Sequence, residues 1–428
     1  MPLFIDFGTR LYHAGIRLAM PFSPKAERWV HGRRGLWHRL EDRREELAGC
    51  LWMHCASTGE FEQGRPVLEA LMAQHPEMPV LLTFFSPSGL EARRALRREY
   101  PERKAPLMVE YLPPDGPHNA QRLVELVRPR LVLWVKYEFW YHHLHAIAQA
   151  GVPLHLVSAI FRPGQPFFRW YGAAWRRMLR CFTHIFTQDE ASAELLRAIG
   201  IEQVSVSGDT RFDRVATIVD HAAPLPIAEA FRGDGPVLIC GSTWPADEAL
   251  LEKALAGLDT HPKCLVVPHE PVEAHLKAAE QRFPRPLARW SELEGATTAN
   301  IANMLGPERG STLLVDRMGL LARLYRHGDV AYVGGGFGEG VHSLLEPAAW
   351  GLPVLFGPRH IKFAEARGLI EAGGGFEVRD AEGLVIVLRH LMQDAHARRK
   401  AGDAAAAYVR EQCGATSKVV EALQGLAS

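Results

Sequence analysis

The chain has 428 residues, room for two domains of about 200 each, and its 47% apolar and 23% charged content is that of an ordinary globular protein. Its 49 basic and 49 acidic residues balance, which disfavours a nucleic-acid binder, since such a chain carries a basic excess. The six cysteines (Cys50, Cys55, Cys181, Cys240, Cys264, Cys413) form no CxxC pair. They read as reduced thiols of a cytosolic protein, not as disulfides or zinc ligands.

In chain order, residues 1–20 predict an amphipathic helix. Asp6, Arg10 and Arg17 interrupt the apolar run that a signal peptide or a membrane span needs. Asp6, Arg10, His13 and Arg17 share one side of the wheel, with Phe4, Phe7, Leu11 and Leu18 on the other. The segment 1–44 holds nine Lys/Arg against four Asp/Glu, with Trp29 and Trp37 interleaved. A basic helix with aromatics suits an anionic lipid interface; packing on the protein's own surface is the alternative.

From residue 51 the period changes. Apolar strands are expected at 51–56, 79–85, 105–112, 130–137, 153–159, 183–189 and 204–208, with helices between most of them. Strands apolar on both faces, alternating with helices, mean a parallel sheet covered on both sides. A first domain is therefore expected over 45–212, followed by a linker over 213–234, where Pro and Gly accumulate and no strand pattern persists. Further strands at 236–242, 263–268, 311–316, 329–335, 353–357 and 375–378 give a second domain over 235–400. Residues 381–428 read as helical throughout. Two open α/β domains place ligands at the strand C-termini, so a cleft between them is the expected site.

The most distinctive stretch is 332–363. Gly334, Gly335, Gly336, Gly338 and Gly340 follow the strand that ends at Val333, and a helix carrying Glu346 comes next. A strand, a loop without side chains and a helix N-terminus make an anion site. Glu346, one turn into that helix, falls where a ribose would lie. There is no Gly-Lys-Ser/Thr and no dinucleotide spacing; a tight turn between core elements is the simpler alternative.

Other strand tips carry chemistry-bearing residues. Ser57, Thr58, Gly59 and Glu60 follow the first strand. Glu60 is either a general base for an acceptor hydroxyl or a helix N-terminal charge complementing the dipole. Glu138 follows the strand at 130–137, bracketed by Lys136, Tyr137, Phe139 and Trp140, and is either a second site carboxylate or a solvated corner. His54, inside a strand, reads as a hydrogen-bonded core histidine. In the second series Ser242 and Thr243 precede Asp247 and Glu248, and either bind phosphate or cap the helix. His269 and the pair Met318–Gly319 follow other strands. No DxD-like pair or His/Cys cluster at a strand tip points to a metal.

Taken together, these residues resemble the 3-deoxy-D-manno-octulosonic acid (Kdo) transferases of lipopolysaccharide biosynthesis. The family pattern H-x-x-S-x-G-E is similar to His54–Glu60, and T-x-x-(S/T)-x-(S/T)-G to Thr83–Gly89. Y-L-P-x-D matches Tyr111–Asp115, and E-x-(F/W/L)-W resembles Glu138–Trp140. G-D-x-(R/K)-F-D matches Gly208–Asp213, G-S-T-(H/W) matches Gly241–Trp244, and the glycine run through H-(N/S)-x-L-E matches Gly334–Glu346. Their order and spacing together carry the resemblance, which spans most of the chain.

The resemblance implies an α/β protein of the GT-B class: two Rossmann-like domains with an interdomain cleft, and a final helix within 401–428 crossing back to the first. It implies a CMP-Kdo donor, a lipid A precursor (lipid IVA) acceptor, and inverting transfer without metal or other cofactor. Glu60 would be the base and Glu138 would orient acceptor or sugar, with Ser57, Thr58, Gly59, Lys136 and Trp140 on the acceptor side. Ser242, Thr243, His269, Met318, Gly319, Gly335, Gly336, His342, Ser343, Glu346 and Lys362 would line the donor side. The place implied is the cytoplasmic face of the inner membrane, on its anionic surface, peripheral or monotopic, with no nucleic-acid partner.

Two departures stand out. Many members have Pro-Arg-His where this chain has Pro268-His269-Glu270, leaving Lys362, Arg359 or Arg317 to supply a cation. Many have asparagine where Ser343 stands. The alternatives are another GT-B transferase using a nucleotide-diphosphate sugar, and a non-catalytic homologue at a membrane surface.

Overall fold

The computed structural model describes residues 2–233, 235–306 and 310–424, apart from the side chains of residues 2–7 and of Arg10. The chain divides into two compact units, one running to Arg214 and resuming at Cys413, the other Val215–Gln412. Each unit is built on one sheet.

In the first unit, β1 (Leu51–Cys55), β2 (Val80–Phe84), β3 (Leu107–Tyr111), β4 (Leu131–Val135), β5 (Leu154–Ala159), β6 (His184–Thr187) and β7 (Val204–Val206) pair in parallel. Their order is β3-β2-β1-β4-β5-β6-β7. Every residue of β1, β2, β4 and β5 is buried. Helices on both faces explain why these strands read as unbroken apolar runs rather than alternating ones.

The second unit has β8 (Val237–Thr243), β9 (Lys263–Pro268), β10 (Leu287–Arg289), β11 (Thr312–Leu314), β12 (Val330–Val333), β13 (Val354–Phe356) and β14 (Gly375–Glu377). They are again parallel, in the order β10-β11-β9-β8-β12-β13-β14. The sequence reading misses β10. It is a three-residue edge strand with one fully buried position, too short for any periodicity to register.

The segment read as linker, 213–234, holds no strand among its described residues, and much of it is helix. Thr210–His221 and Pro226–Arg232 are helices, and Ala228 and Phe231 of the latter are buried in the second unit's core. The segment read as helical from 381 onward is helical through Leu423, in three pieces. Ala381–Gln393, Ala395–Glu411 and Ala415–Leu423 are separate. The last packs on helix Thr58–Gln74 and puts Val419, Val420 and Leu423 into the first unit's core. Asp213 anchors it, accepting the N–H groups of Gly414 and Thr416 at 2.6 and 2.7 Å and the Thr416 hydroxyl at 2.7 Å.

The N-terminal region corrects one reading. Helix Pro2–Ala19 forms as expected, but residues 24–47 are not a free basic segment, because Trp29, Leu36, Leu40 and Leu47 are buried. Arg33 is a clamp, not a lipid contact. Its guanidinium lies 3.9 Å over Trp29 and 4.3 Å from the centre of Tyr111, and it donates to the carbonyls of Phe85 (2.8 Å) and Leu112 (3.1 Å). Burial pulls its pKa down to about 9. Arg39 forks onto Glu110 at 2.6 and 3.0 Å. On the first helix, His13 turns inward and stacks on Trp29 at 5.6 Å, while Leu11 and Leu18 are 62% and 77% exposed. Asp6, Arg10, Phe4 and Phe7 fall outside the described side chains. Among the described residues no helix is long and apolar enough to cross a membrane.

Candidate active site

In the first unit the tips of β1, β2 and β4 bring two carboxylates into one electrostatic environment. Ser57 caps helix Thr58–Gln74, accepting the Glu60 N–H at a long 3.5 Å. Glu60 is the third residue of that helix, so its side chain turns back over the cap, and Oε2 accepts the Ala56 N–H at 2.5 Å. Glu60 is 8% exposed. Burial pushes its pKa up to about 7; the Ala56 N–H, Lys136 and the Tyr137 N–H pull it down, and the Glu138 charge adds to the rise. A carboxyl that titrates near neutrality can take a proton and release it.

Glu138 is oriented by a chain of hydrogen bonds. Its Oε2 accepts from Trp140 Nε1 at 2.8 Å and from His54 Nε2 at 3.1 Å. His54 Nδ1 meets the Thr83 hydroxyl at 3.0 Å, and that hydroxyl accepts from Trp52 Nε1 at 2.8 Å. A carboxylate accepts, so His54 Nε2 donates to Glu138, while the Thr83 hydroxyl lies between His54 Nδ1 and the Met53 carbonyl at 3.4 Å. His54 is buried, as expected of a core histidine, but it also joins the site through Glu138. Its partner is 84 residues away, and nothing local in the sequence announces it. Thr83 is missed for the same reason.

Lys136 holds φ 67 at the tip of β4, a left-handed conformation that a non-glycine residue adopts at a cost of about 1–3 kcal/mol. Its amine sits 4.9 Å from the Tyr137 ring centre. Gly59 is exposed, and a Cβ added there would meet nothing nearer than Ser57 Oγ at 4.0 Å. The Thr58 hydroxyl reaches Ser88 O at 3.5 Å. Asp115, of the loop after β3, accepts the His142 and His143 N–H groups at 3.1 Å each and fixes the start of the helix beyond Trp140.

In the second unit the glycine turn is shaped by its own backbone. A Cβ at Gly334 would lie 2.3 Å from Ser242 O, at Gly335 (φ +92) 2.3 Å from Gly340 O, and at Gly336 2.6 Å from the Gly357 backbone. The glycines are thus required by internal close approach. Asp247, fully buried, braces the turn: it accepts the N–H groups of Gly335 (2.9 Å) and Trp244 (3.0 Å) and the Tyr332 hydroxyl (2.9 Å). The Gly335 N–H is therefore engaged, whereas the Gly336 N–H has no hydrogen bond among the described residues. The helix after the turn is only Leu345–Ala349 and begins eleven residues beyond Gly334, so Glu346 is in its first turn rather than one turn in.

Ser242 and Thr243 part company. Ser242 has φ 51 and is partly exposed. Thr243 is buried and its hydroxyl donates to Glu248 Oε1 at 3.0 Å, which also takes His275 Nε2 at 2.8 Å. His342 accepts from Trp244 Nε1 at 2.9 Å and stacks on His269 at 4.2 Å. Burial and that neighbour hold its pKa down to about 4. Ser343, Met318 and Gly319 are exposed. Of the three candidate cations, Arg317 is forked onto Glu294 at 3.0 Å and Arg359 donates to Gly338 O at 2.5 Å. Lys362 is exposed and makes no ion pair among the described residues.

Residues 28–214 match the family described as 3-deoxy-D-manno-octulosonic-acid transferase (kdotransferase). A 3-deoxy-D-manno-octulosonic acid transferase of Bordetella pertussis is 30% identical over 394 residues, covering 88% of this chain and 87% of that one. The chain belongs to the Kdo transferase family. It is therefore a glycosyltransferase. Transferases of the same description from Aquifex aeolicus and Haemophilus influenzae are 29% and 26% identical, over 80% and 87% of this chain and 86% of each relative. In fold, it is similar to a solved glycosyltransferase from Rickettsia africae (12% identity, TM-score 0.57, 89% and 98% of the two chains covered). A putative UDP-N-acetylglucosamine 2-epimerase from Listeria monocytogenes has the same TM-score at 15% identity, with 88% and 96% covered. These neighbours and the two parallel sheets make the fold GT-B.

Proposed function

We propose that the protein transfers Kdo from CMP-Kdo to the hydroxyl of a lipid A precursor, with inversion and without a metal. The observation that carries this reading is Glu60: a buried carboxyl at a strand tip, titrating near neutrality, next to a second carboxylate oriented by His54 and Trp140. Glu60 takes the proton of the acceptor hydroxyl as its oxygen bonds to the anomeric carbon of Kdo. The bond from that carbon to the CMP phosphate oxygen breaks, and its electron pair leaves with CMP. Glu138 orients the acceptor or the sugar, and Lys136 offsets the charge beside Glu60. Ser57, Thr58, Gly59 and Trp140 border the acceptor.

On the donor side, Ser242 and the Gly336 N–H meet the phosphate, Lys362 supplies the cation that His269 does not, and Glu346 takes the ribose hydroxyls. His342, Ser343, Met318 and Gly319 line the same pocket. Thr243, with its hydroxyl turned to Glu248, holds the loop rather than the ligand. The exposed Leu11, Leu18 and Phe22 support a peripheral seat on the inner membrane's cytoplasmic face.

Titration calorimetry with CMP, UDP and GDP tests the donor: CMP is expected to bind at least about tenfold more tightly, a difference of about 1.4 kcal/mol. Equal or tighter binding of the diphosphates would replace this donor with a nucleotide-diphosphate sugar.

A further inference from the structure

The first unit contains a groove that the proposed chemistry does not use. Its volume is about 470 Å³, and Tyr12, Ile16, Ala19, Ala26, Trp29 and Phe85 line it. One wall is the first helix, the other is helix Pro24–Gly32 with the tip of β2. The size lies within the range of about 300–1,000 Å³ typical of small-molecule sites, and the lining is mostly apolar.

Three features define what the groove takes. First, its inner end reaches the carboxylate site: Phe85 packs on Trp140 at 4.7 Å, and Trp140 donates to Glu138. Tyr12, also in the lining, lies 6.4 Å from the Trp140 ring, and the Glu138 charge raises its pKa after burial has done so. Second, its outer edge continues into apolar surface. At 100° per residue, Leu11, Gly15, Leu18 and Ala19 occupy adjoining sectors of the first helix, so the exposed stripe runs directly into the lining. Third, Lys25 lines the groove, is exposed, and has no carboxylate partner among the described residues. A slot that is apolar along its length, carries a cation and ends beside the site of hydroxyl activation matches a chain with an anionic head.

We infer that this groove receives one acyl chain of the glycolipid acceptor, and so sets the reach of its sugar hydroxyl to Glu60. This rests on the acceptor being a lipid, as proposed above. The chain slides between the helices while its phosphorylated head stays near Lys25, so acceptors differing in acyl length are discriminated by the groove and not by contacts at the sugar.

The test labels the full-length protein with a lipid A precursor analogue carrying a photoreactive diazirine near the end of one acyl chain, with no donor present. The readout is mass-spectrometric mapping of the labelled peptides. Label is expected around Ile16, Ala19, Ala26 and Phe85, and Ala19→Trp and Ala26→Phe, which fill the groove from opposite walls, should each cut it by about tenfold or more. Ile386→Ser, at an exposed position on helix Ala381–Gln393 of the second unit, should not. Across decanoyl, dodecanoyl and tetradecanoyl versions, each methylene lost from the buried part should weaken binding by up to about fourfold. Unlabelled lipid A precursor should displace the probe, while phospholipid vesicles should not.

Label confined to Leu11, Leu18 and Phe22, labelling unchanged by both fillings, or equal displacement by phospholipid would each overturn the inference. If a filled variant fails to fold, the label map of the unmodified chain decides alone. Because no transfer step is involved, the result is independent of the donor chemistry; a chain that transfers Kdo with the groove unlabelled keeps the proposed function and loses only this one.

Discussion

Glu60 is held in an environment that opposes its ionised form. Its folded pKa, about 7, lies above its ordinary 4.5. The unfolded chain therefore releases that proton first as the pH rises. The stability tied to the protonated form is present in full below about 4.5 and is lost as the pH climbs through about 7. A shift of that size corresponds to about 3 kcal/mol. Glu60→Gln should therefore raise the unfolding midpoint at pH 8, with the gain vanishing towards pH 4, and should abolish transfer while leaving CMP binding intact. Transfer by the unmodified enzyme should rise as pH passes through about 7, since Glu60, the proposed base, must be free of its proton. A substituted enzyme transferring near the original rate would remove Glu60 as the base; a stability gain that did not vary with pH would remove the account of its burial.

At the scale of elements, the turn after β12 separates glycines the backbone needs from those it does not. Gly336→Ala drives a Cβ into the Gly357 backbone at 2.6 Å, whereas Gly338→Ala meets nothing closer than Gly335 O at 3.7 Å. The first should cost about 1–3 kcal/mol, and the second little. Thermal melts of the two variants check this; equal midpoints would show that β12 and β13 can spread without cost. The same elements show what the sequence reveals. β1, β2, β4 and β5 are legible because both their faces are buried, so apolarity persists along each run. β10 is not, being a short edge strand. Glu60 and Glu138 stand out because each lies within a few residues of the end of an apolar strand. His54 and Asp247 do not: His54 is read as core because only its distant partner Glu138 gives it a second role, and Asp247 looks like an ordinary acid in a first helical turn until β12 is placed beside it. Nor does any residue pattern announce the left-handed φ of Ser242 or the Thr243 hydroxyl turned onto Glu248.

For the molecule as a whole, the first unit is discontinuous. Ending the chain at Gln412 removes helix Ala415–Leu423 from helix Thr58–Gln74, exposing the surface that Val419, Val420 and Leu423 cover. Each such side chain accounts for about 1.5–3 kcal/mol as an upper bound. Amide exchange should therefore accelerate across β1, β2 and β4 and stay unchanged across β8 and β9. Acceleration spread equally over both sheets would mean that this helix stabilises more than its own unit.

The knot of hydrogen bonds from Asp213 to Gly414 and Thr416 has a bearing on the order in which the protein is made. A ribosome delivers all seven strands of the first sheet before it delivers the helix that covers one of their supporting helices. The later sheet, continuous from Val215 to Gln412, has everything it needs sooner. The half translated first is thus the half finished last, and until residue 423 has emerged the nascent chain shows chaperones and proteases an uncovered apolar strip on helix Thr58–Gln74. A message cut short after the codon for Gln412 would yield a chain whose second unit is whole and whose first unit, lacking one covering helix, is the one cleared away.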